Sequence, residues 1–199
     1  MLKELFNMYS QRLEEKYILD YFGNEGTFLD IGAYHPETFS NTRALFDRGW
    51  SGICVEPSPN CYPTLKEFYK DSNVEVFNCA VGNETGVIEF YDSNGDALSS
   101  TDTDHVKLWE KNYGSVFSKI TVECFTLNDL IKKSKHKNFD FVSIDVENDR
   151  LGIDILKQLD LEKVDMICLE CGYQHREEVK LYTDWHEVYS NAENILMIK

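Results

Sequence analysis

No stretch of this chain approaches the roughly 18 consecutive apolar residues that a membrane-spanning helix needs. Its start, MLKELFNMYSQRLEEKY, lacks the apolar centre of a secretory signal. On this reading a membrane partner is excluded and a cytoplasmic protein is expected. Positive charge is also scarce, with 20 Lys and Arg against 35 Asp and Glu and a formal net charge of −15. Recognition of a phosphate backbone relies on clustered Lys and Arg, so nucleic acid is excluded as a partner and a neutral or cationic ligand is favoured. Cys168 and Cys171 form a single C-x-x-C with no second pair at metal-binding spacing, which argues against a zinc knuckle. Four of the six cysteines sit in strand-like runs such as GICVEP and DMICLEC, as buried reduced thiols do. The chain also lacks internal repeats and linkers.

What remains is a globular composition, 199 residues with 42% apolar and 13% aromatic side chains, enough for one domain over residues 1–199. Residues 1–24 carry Leu2, Leu5, Phe6, Tyr9, Leu13, Tyr17 and Leu19 near helical spacing, which predicts an N-terminal helical extension to a core at 27–199. Thr27 to Ile31 reads as a strand, Ser40 as the N-cap of a helix through Asp47 closed by Gly49, and Gly52 to Glu56 as a second strand. Asn60 is placed to cap a helix with Pro63 in its first turn, and residues 74–81 and 86–91 read as a hairpin about Gly82 to Gly86. A polar loop over 92–104 leads to a helix near 106–113 and a strand at 120–125. Thr126 to Asp129 is a capping box opening a helix to Lys133.

Phe139 to Ile144 and Val164 to Glu170 are short apolar runs of the kind found in central parallel strands. Helices at 150–159 and 176–183 and strands at 185–190 and 194–198 complete the pattern. Strands alternating with helices define the α/β class, in which ligands bind at the carboxyl ends of the parallel strands. Asp30, Glu56, Asp145 and Glu170 all stand at such ends.

Glu56 ends the second strand, where an acid can accept hydrogen bonds from both hydroxyls of a ribose. The first turn reads Gly32-Ala33-Tyr34-His35-Pro36-Glu37, one glycine and an acid in place of the G-x-G-x-x-G that cradles a pyrophosphate. S-adenosylmethionine has no pyrophosphate and carries a sulfonium and an ammonium, which suit an acidic loop.

The runs D-I-G-A (30–33), S-N-T (40–42), R-G-W-S-G (48–52), V-E-P (55–57), N-C-A-V-G (78–82), L-S-S-T (98–101) and S-I-D-V-E (143–147) together resemble the FkbM-type S-adenosylmethionine-dependent methyltransferases. The likeness runs from about residue 27 to the closing N-I-L-M-I-K. It implies a class I, Rossmann-like three-layer sandwich with a mostly parallel seven-stranded sheet whose last strand is antiparallel. It also implies O-methyl transfer to a sugar hydroxyl of a glycan or glycosylated metabolite.

On this resemblance Asp30, Gly32, Ala33 and Tyr34 shape the methionine side of the cofactor pocket, and Ser40, Asn41 and Thr42 belong to the same cofactor-binding set. Glu56 with Pro57 holds the ribose, Asn78, Cys79 and Ala80 line the adenine, and Asp145 lies where the methyl group is presented. The family usually has glycine after D-V-E, where this chain has Asn148, a residue that tolerates a left-handed turn.

A sugar hydroxyl is a weak nucleophile, so a base is expected. Asp145, Glu147 and His35 are the catalytic candidates, with His175 also on a rim loop. Asp145, Glu147 and Glu170 offer the oxygens a divalent cation takes, but their spacing reproduces no known motif and no metal is predicted. Trp109, Tyr113 and Tyr173 suit stacking on sugar rings. A carbohydrate or small-molecule acceptor is therefore expected, bound by a monomer or homodimer. Two other readings stay open at this point: a nicotinamide-dependent oxidoreductase, disfavoured by the missing glycines, and a nucleoside-binding module without turnover.

Overall fold

The computed structural model describes residues 8–199. Leu2, Leu5 and Phe6 of the expected N-terminal helix lie outside them. The helix that is described, α1 (Glu14–Tyr21), is shorter than expected. Before it, side chains satisfy the backbone locally: Tyr9 N donates to Glu15 Oε2 (2.6 Å), Arg12 N to Glu14 Oε2 (2.8 Å) and Glu15 N to Ser10 Oγ (3.2 Å). Such bonds compete with a helical turn, which explains the late start.

The remaining strands and α-helices in chain order are β1 (Thr27–Ile31), α2 (Arg43–Asp47), β2 (Ser51–Val55), α3 (Tyr62–Tyr69), β3 (Val74–Phe77), β4 (Ala80–Val81) and β5 (Gly86–Asp92). They are followed by α4 (Thr103–Tyr113), β6 (Ser118–Phe125), α5 (Leu127–Lys133), β7 (Phe141–Ile144), α6 (Asp149–Leu156), β8 (Met166–Glu170), α7 (Arg176–Thr183), β9 (His186–Ser190) and β10 (Asn194–Ile198). The main sheet has seven strands in the order β3-β2-β1-β7-β8-β10-β9. Its β3, β2, β1, β7 and β8 pair in parallel, and β10 enters antiparallel between β8 and β9. This is the expected mostly parallel sheet with an antiparallel last strand.

Alternation along the strands builds two cores, one on each face of the sheet. Leu29, Ile31, Ile53, Val55, Val142, Ile144 and Leu169 pack against Leu130 of α5, Leu156 of α6 and Val179 of α7. Phe28, Cys54, Phe141, Met166 and Cys168 face the other way, against Ile18 of α1, Leu45 of α2 and Leu65 of α3. Burial on both faces is why these strands read as continuous apolar runs. All six cysteines are free and buried.

Two local expectations are corrected. Residues 74–81 and 86–91 do not form a hairpin: β3 joins the main sheet, while β4 and β5 flank β6 in a separate three-stranded sheet ordered β4-β6-β5. β5 runs antiparallel to β6 from Gly86 opposite Cys124 to Asp92 opposite Ser118. Alternation marks a strand but does not name its partner. Nor does Asn60 cap α3. Ser58 Oγ accepts from the amides of Asn60 and Cys61, while the Asn60 amide group donates to Asp92 (2.6 Å).

Candidate active site

A cleft of about 450 Å³ opens at the carboxyl ends of β1, β2, β7 and β8. The turn after β1 forms its floor. Gly32 has φ +86°, and a Cβ there would sit 1.6 Å from the carbonyl oxygen of Asp145, so only glycine lets β1 and β7 end this close together. Gly32 N and Ala33 N both donate to Val55 O (2.9 and 3.1 Å), which ties the turn to β2.

Glu56 is 5% exposed and lines the cleft. Its carboxylate is fixed at both oxygens, Oε2 accepting from Tyr34 N (2.8 Å) and Oε1 from Ser58 N (2.7 Å). Burial pushes its pKa up to about 7, against the lowering effect of those two amides. Asn78 lies behind it and does not line the cleft: its side-chain amide donates to Glu56 O (2.8 Å) and Pro57 O (3.2 Å), while Pro57, Cys79 and Ala80 form the wall. Cys61, also on the wall, has its thiol pushed up to about 11 by burial and therefore stays neutral.

Asp30 is placed differently from expectation. Strand alternation turns it to the side of Phe28, where Thr42 Oγ1 donates to it (2.6 Å), and it is not among the residues that line the cleft. Burial, reinforced by Asp145, raises its pKa to about 7. Ser40, Asn41 and Thr42 form a buried polar layer behind the turn. Ser40 Oγ accepts from Arg43 N (3.1 Å) at the start of α2, and Asn41 Nδ2 donates to Ser143 Oγ (3.2 Å). These residues support the floor and do not themselves line the cleft.

His35 is corrected in the same way. Its Nδ1 accepts from the amides of Glu37 (3.1 Å) and Thr38 (3.0 Å), and its ring lines a separate shallow groove with Pro36, Pro63 and Phe68. A turn-capping role leaves it outside the cleft. His175 lies 3.9 Å from Asp149 and is likewise not part of the lining.

The strands β7 and β8 bring the other carboxylates together. Asp145, Glu147 and Glu170 each offer an oxygen within 4.8 Å of the others. Glu147 N donates to Glu170 Oε2 (3.0 Å), and Ser100 Oγ donates to Glu147 O (2.7 Å), which ties the 93–102 loop to this corner. Burial raises all three carboxyl groups, Glu147 to about 8, and each is raised further by a neighbouring acid.

The left-handed residue of this turn is Glu147 (φ 51°), whereas Asn148 is extended (φ −158°) and caps α6 through Oδ1, which accepts from Leu151 N (3.1 Å). Asparagine thus stands after D-V-E as a helix cap, not for its tolerance of positive φ. Tyr34 (φ 48°), Phe39 (φ 61°) and Glu147 all line the cleft, so backbone strain gathers along its wall.

Several lining residues escaped the sequence reading. Gln11 and Phe39 come from stretches with no local signal, whereas Asp96 belongs to the polar loop over 92–104. Glu193 and Asn194 had a topological one: because β10 runs antiparallel, its start falls at the same rim as the ends of β7 and β8. Trp109 lines the cleft, with the ring of Tyr113 4.6 Å away. Tyr173 is exposed beneath the Arg176 guanidinium, outside the cleft.

A family profile described as the methyltransferase FkbM domain matches residues 30–196. Among solved structures, methyltransferase FkbM from Methylobacillus flagellatus KT aligns with a TM-score of 0.58 at 13% identity, over 98% of this chain and 50% of that one. At that identity the likeness establishes a shared fold, and this chain spans about half the length of that protein. No curated protein matches the chain.

Proposed function

This chain belongs to the FkbM methyltransferase family, and from that premise we propose that it is an S-adenosylmethionine-dependent O-methyltransferase acting on a sugar hydroxyl of a glycan or glycosylated metabolite. The observation that carries this reading is the acidic lining of the cleft. Glu56, Asp96, Asp145, Glu147, Glu170 and Glu193 line it, and no Lys, Arg or His does so among the described residues. A ligand bearing a sulfonium and an ammonium is matched to that wall, whereas the pyrophosphate of a nicotinamide cofactor would meet carboxylates and no cation.

The residues present fit S-adenosylmethionine. The volume of about 450 Å³ lies in the usual range for cofactor sites. Each Glu56 oxygen already accepts one backbone amide and keeps a lone pair for a ribose hydroxyl. When bound, the sulfonium supplies an activated methyl group, so the protein's work is alignment and removal of a proton. Asp145 and Glu147, beside the loop that carries Leu98 and Ser99, stand where an acceptor hydroxyl can hand over its proton. Trp109 supports a sugar ring as the acceptor, since an apolar ring face packs on an indole. The chain's placement in the cytoplasm is part of the same proposal; among its described residues no helix is long and apolar enough to cross a membrane.

Thermal-shift measurements with S-adenosylmethionine, S-adenosylhomocysteine and NAD test the cofactor, because a ligand of the native state raises the melting temperature. The two sulfur compounds are expected to stabilise the protein; stabilisation by NAD alone defeats the proposal. Glu56→Ala is expected to weaken S-adenosylmethionine binding about 10- to 100-fold, the effect of losing a charged hydrogen-bond acceptor. Incubation with methyl-labelled cofactor and a glycan panel then tests the acceptor. Asp145→Asn is expected to retain cofactor binding and lose label transfer.

A further inference from the structure

We propose that the corner of the cleft formed by Asp145, Glu147 and Glu170 is a divalent-cation site completed by the side-chain oxygen of Asn194. Magnesium, manganese and calcium bind oxygens at roughly 2.0–2.6 Å, so two ligands on opposite sides of such an ion stand about 4–5 Å apart. The three carboxylates meet that condition, with one oxygen of each within 4.8 Å of the others.

An independent observation points to the same place. Asn194 is 3% exposed and lines the cleft, and its Oδ1 has no hydrogen-bond partner. Its Nδ2 donates to Glu14 Oε1 (3.0 Å), so the amide cannot flip to hide the oxygen without setting two acceptors against each other. In the antiparallel pairing Asn194 stands directly opposite Glu170, which puts both side chains on one face of the sheet. Glu193 Oε2, from the preceding residue of the same wall, is likewise buried without a partner. Buried acceptors need a donor or a cation; His105 Nδ1 stands 3.6 Å from Glu147 Oε2, but among the described residues no such group reaches Asn194 Oδ1 or Glu193 Oε2. Every candidate ligand is a hard oxygen, the donor set of magnesium, manganese or calcium and not of zinc or copper.

The binding of the ion stands apart from the methyltransferase reading, and only its role rests on that reading: a cation beside the acceptor would acidify the hydroxyl that takes the methyl group. The test is titration of MnCl2 into the full chain, followed by loss of the free Mn2+ electron paramagnetic resonance signal, with MgCl2 as competitor. About one equivalent is expected to bind and to be displaced by Mg2+. Glu170→Gln, checked for folding by circular dichroism, is expected to weaken binding at least about tenfold. Asp154→Asn, on a half-buried residue outside the cleft that accepts from Asn83, is expected to leave it unchanged. Should Glu170→Gln not fold, Asn194→Asp takes its place and is expected to tighten binding.

Absence of Mn2+ binding by the unaltered protein overturns the site, as does binding that neither substitution alters. Stabilisation by S-adenosylmethionine is measured on the same metal-free protein. If the cofactor binds and Mn2+ does not, the cation site falls and the proposed function stands; the reverse result removes the proposed function and keeps the site.

Discussion

At the scale of single residues, the floor of the cleft depends on Gly32. Its φ of +86° and the 1.6 Å between a notional Cβ and the Asp145 carbonyl oxygen leave no room for any side chain. Gly32→Ala is therefore expected to destabilise the fold by more than about 2 kcal/mol, since the backbone of β1 or β7 must move and a left-handed conformation becomes strained. Urea denaturation checks this, and a change within about 0.5 kcal/mol would show that the two strand ends separate freely. Gly32 and Glu56 were both legible in the sequence, because a strand that ends in a carboxylate or a glycine turn is a local pattern. The actual setting of Asp30 was not. Whether a strand-end side chain faces the ligand or the layer behind depends on which face of the sheet each alternate residue takes, and Thr42, twelve positions away, is what receives it.

At the scale of elements, α1 is fastened by a buried carboxyl group. Glu14 is 0% exposed; its Oε1 accepts from the amides of Asn191 (2.5 Å) and Asn194 (3.0 Å), and its Oε2 from Arg12 N. Replacing it with alanine orphans these donors. Glu14→Ala is expected to cost about 2–4 kcal/mol in chemical denaturation, with Glu14→Gln milder because one acceptor oxygen remains. Equal losses in the two variants would mean that the charge itself, and not hydrogen bonding, holds α1. Nothing in the local pattern signals this contact, since the partners are more than 170 positions apart. The same limit explains the misread hairpin: β4 and β5 have the right alternation and a turn between them, yet both find β6, whose residues arrive only after α4. Capping, by contrast, is local. Thr126 Oγ1 accepts from Asp129 N (3.2 Å) as the sequence indicates.

At the scale of the whole molecule, buried acids set a pH dependence. Asp30 and Glu56 are raised to about 7 and Glu147 to about 8, each with burial as the leading cause. In the unfolded chain such groups titrate near their ordinary values of about 4. The folded protein thus binds more protons between these limits, and the stabilising contribution, fully present below about pH 4, is lost as pH rises through 7 to 8. The melting temperature of the ligand-free protein is expected to fall from pH 5 to pH 8.5, and Glu56→Gln is expected to flatten that slope. A melting temperature that climbs over this range would contradict the burial of these carboxylates in their charged form. The sequence by itself determined the α/β class, the strand-end acids and the family, because each is written in short runs where strand, turn and helix signals are local. The tertiary structure alone decided which acids share the cleft, that His35 turns away from it, that Asn148 caps a helix, and that the start of an antiparallel last strand delivers Glu193 and Asn194 to the rim. Those outcomes depend on pairing across the sheet and on burial, which arise only when residues far apart in the chain are brought into contact.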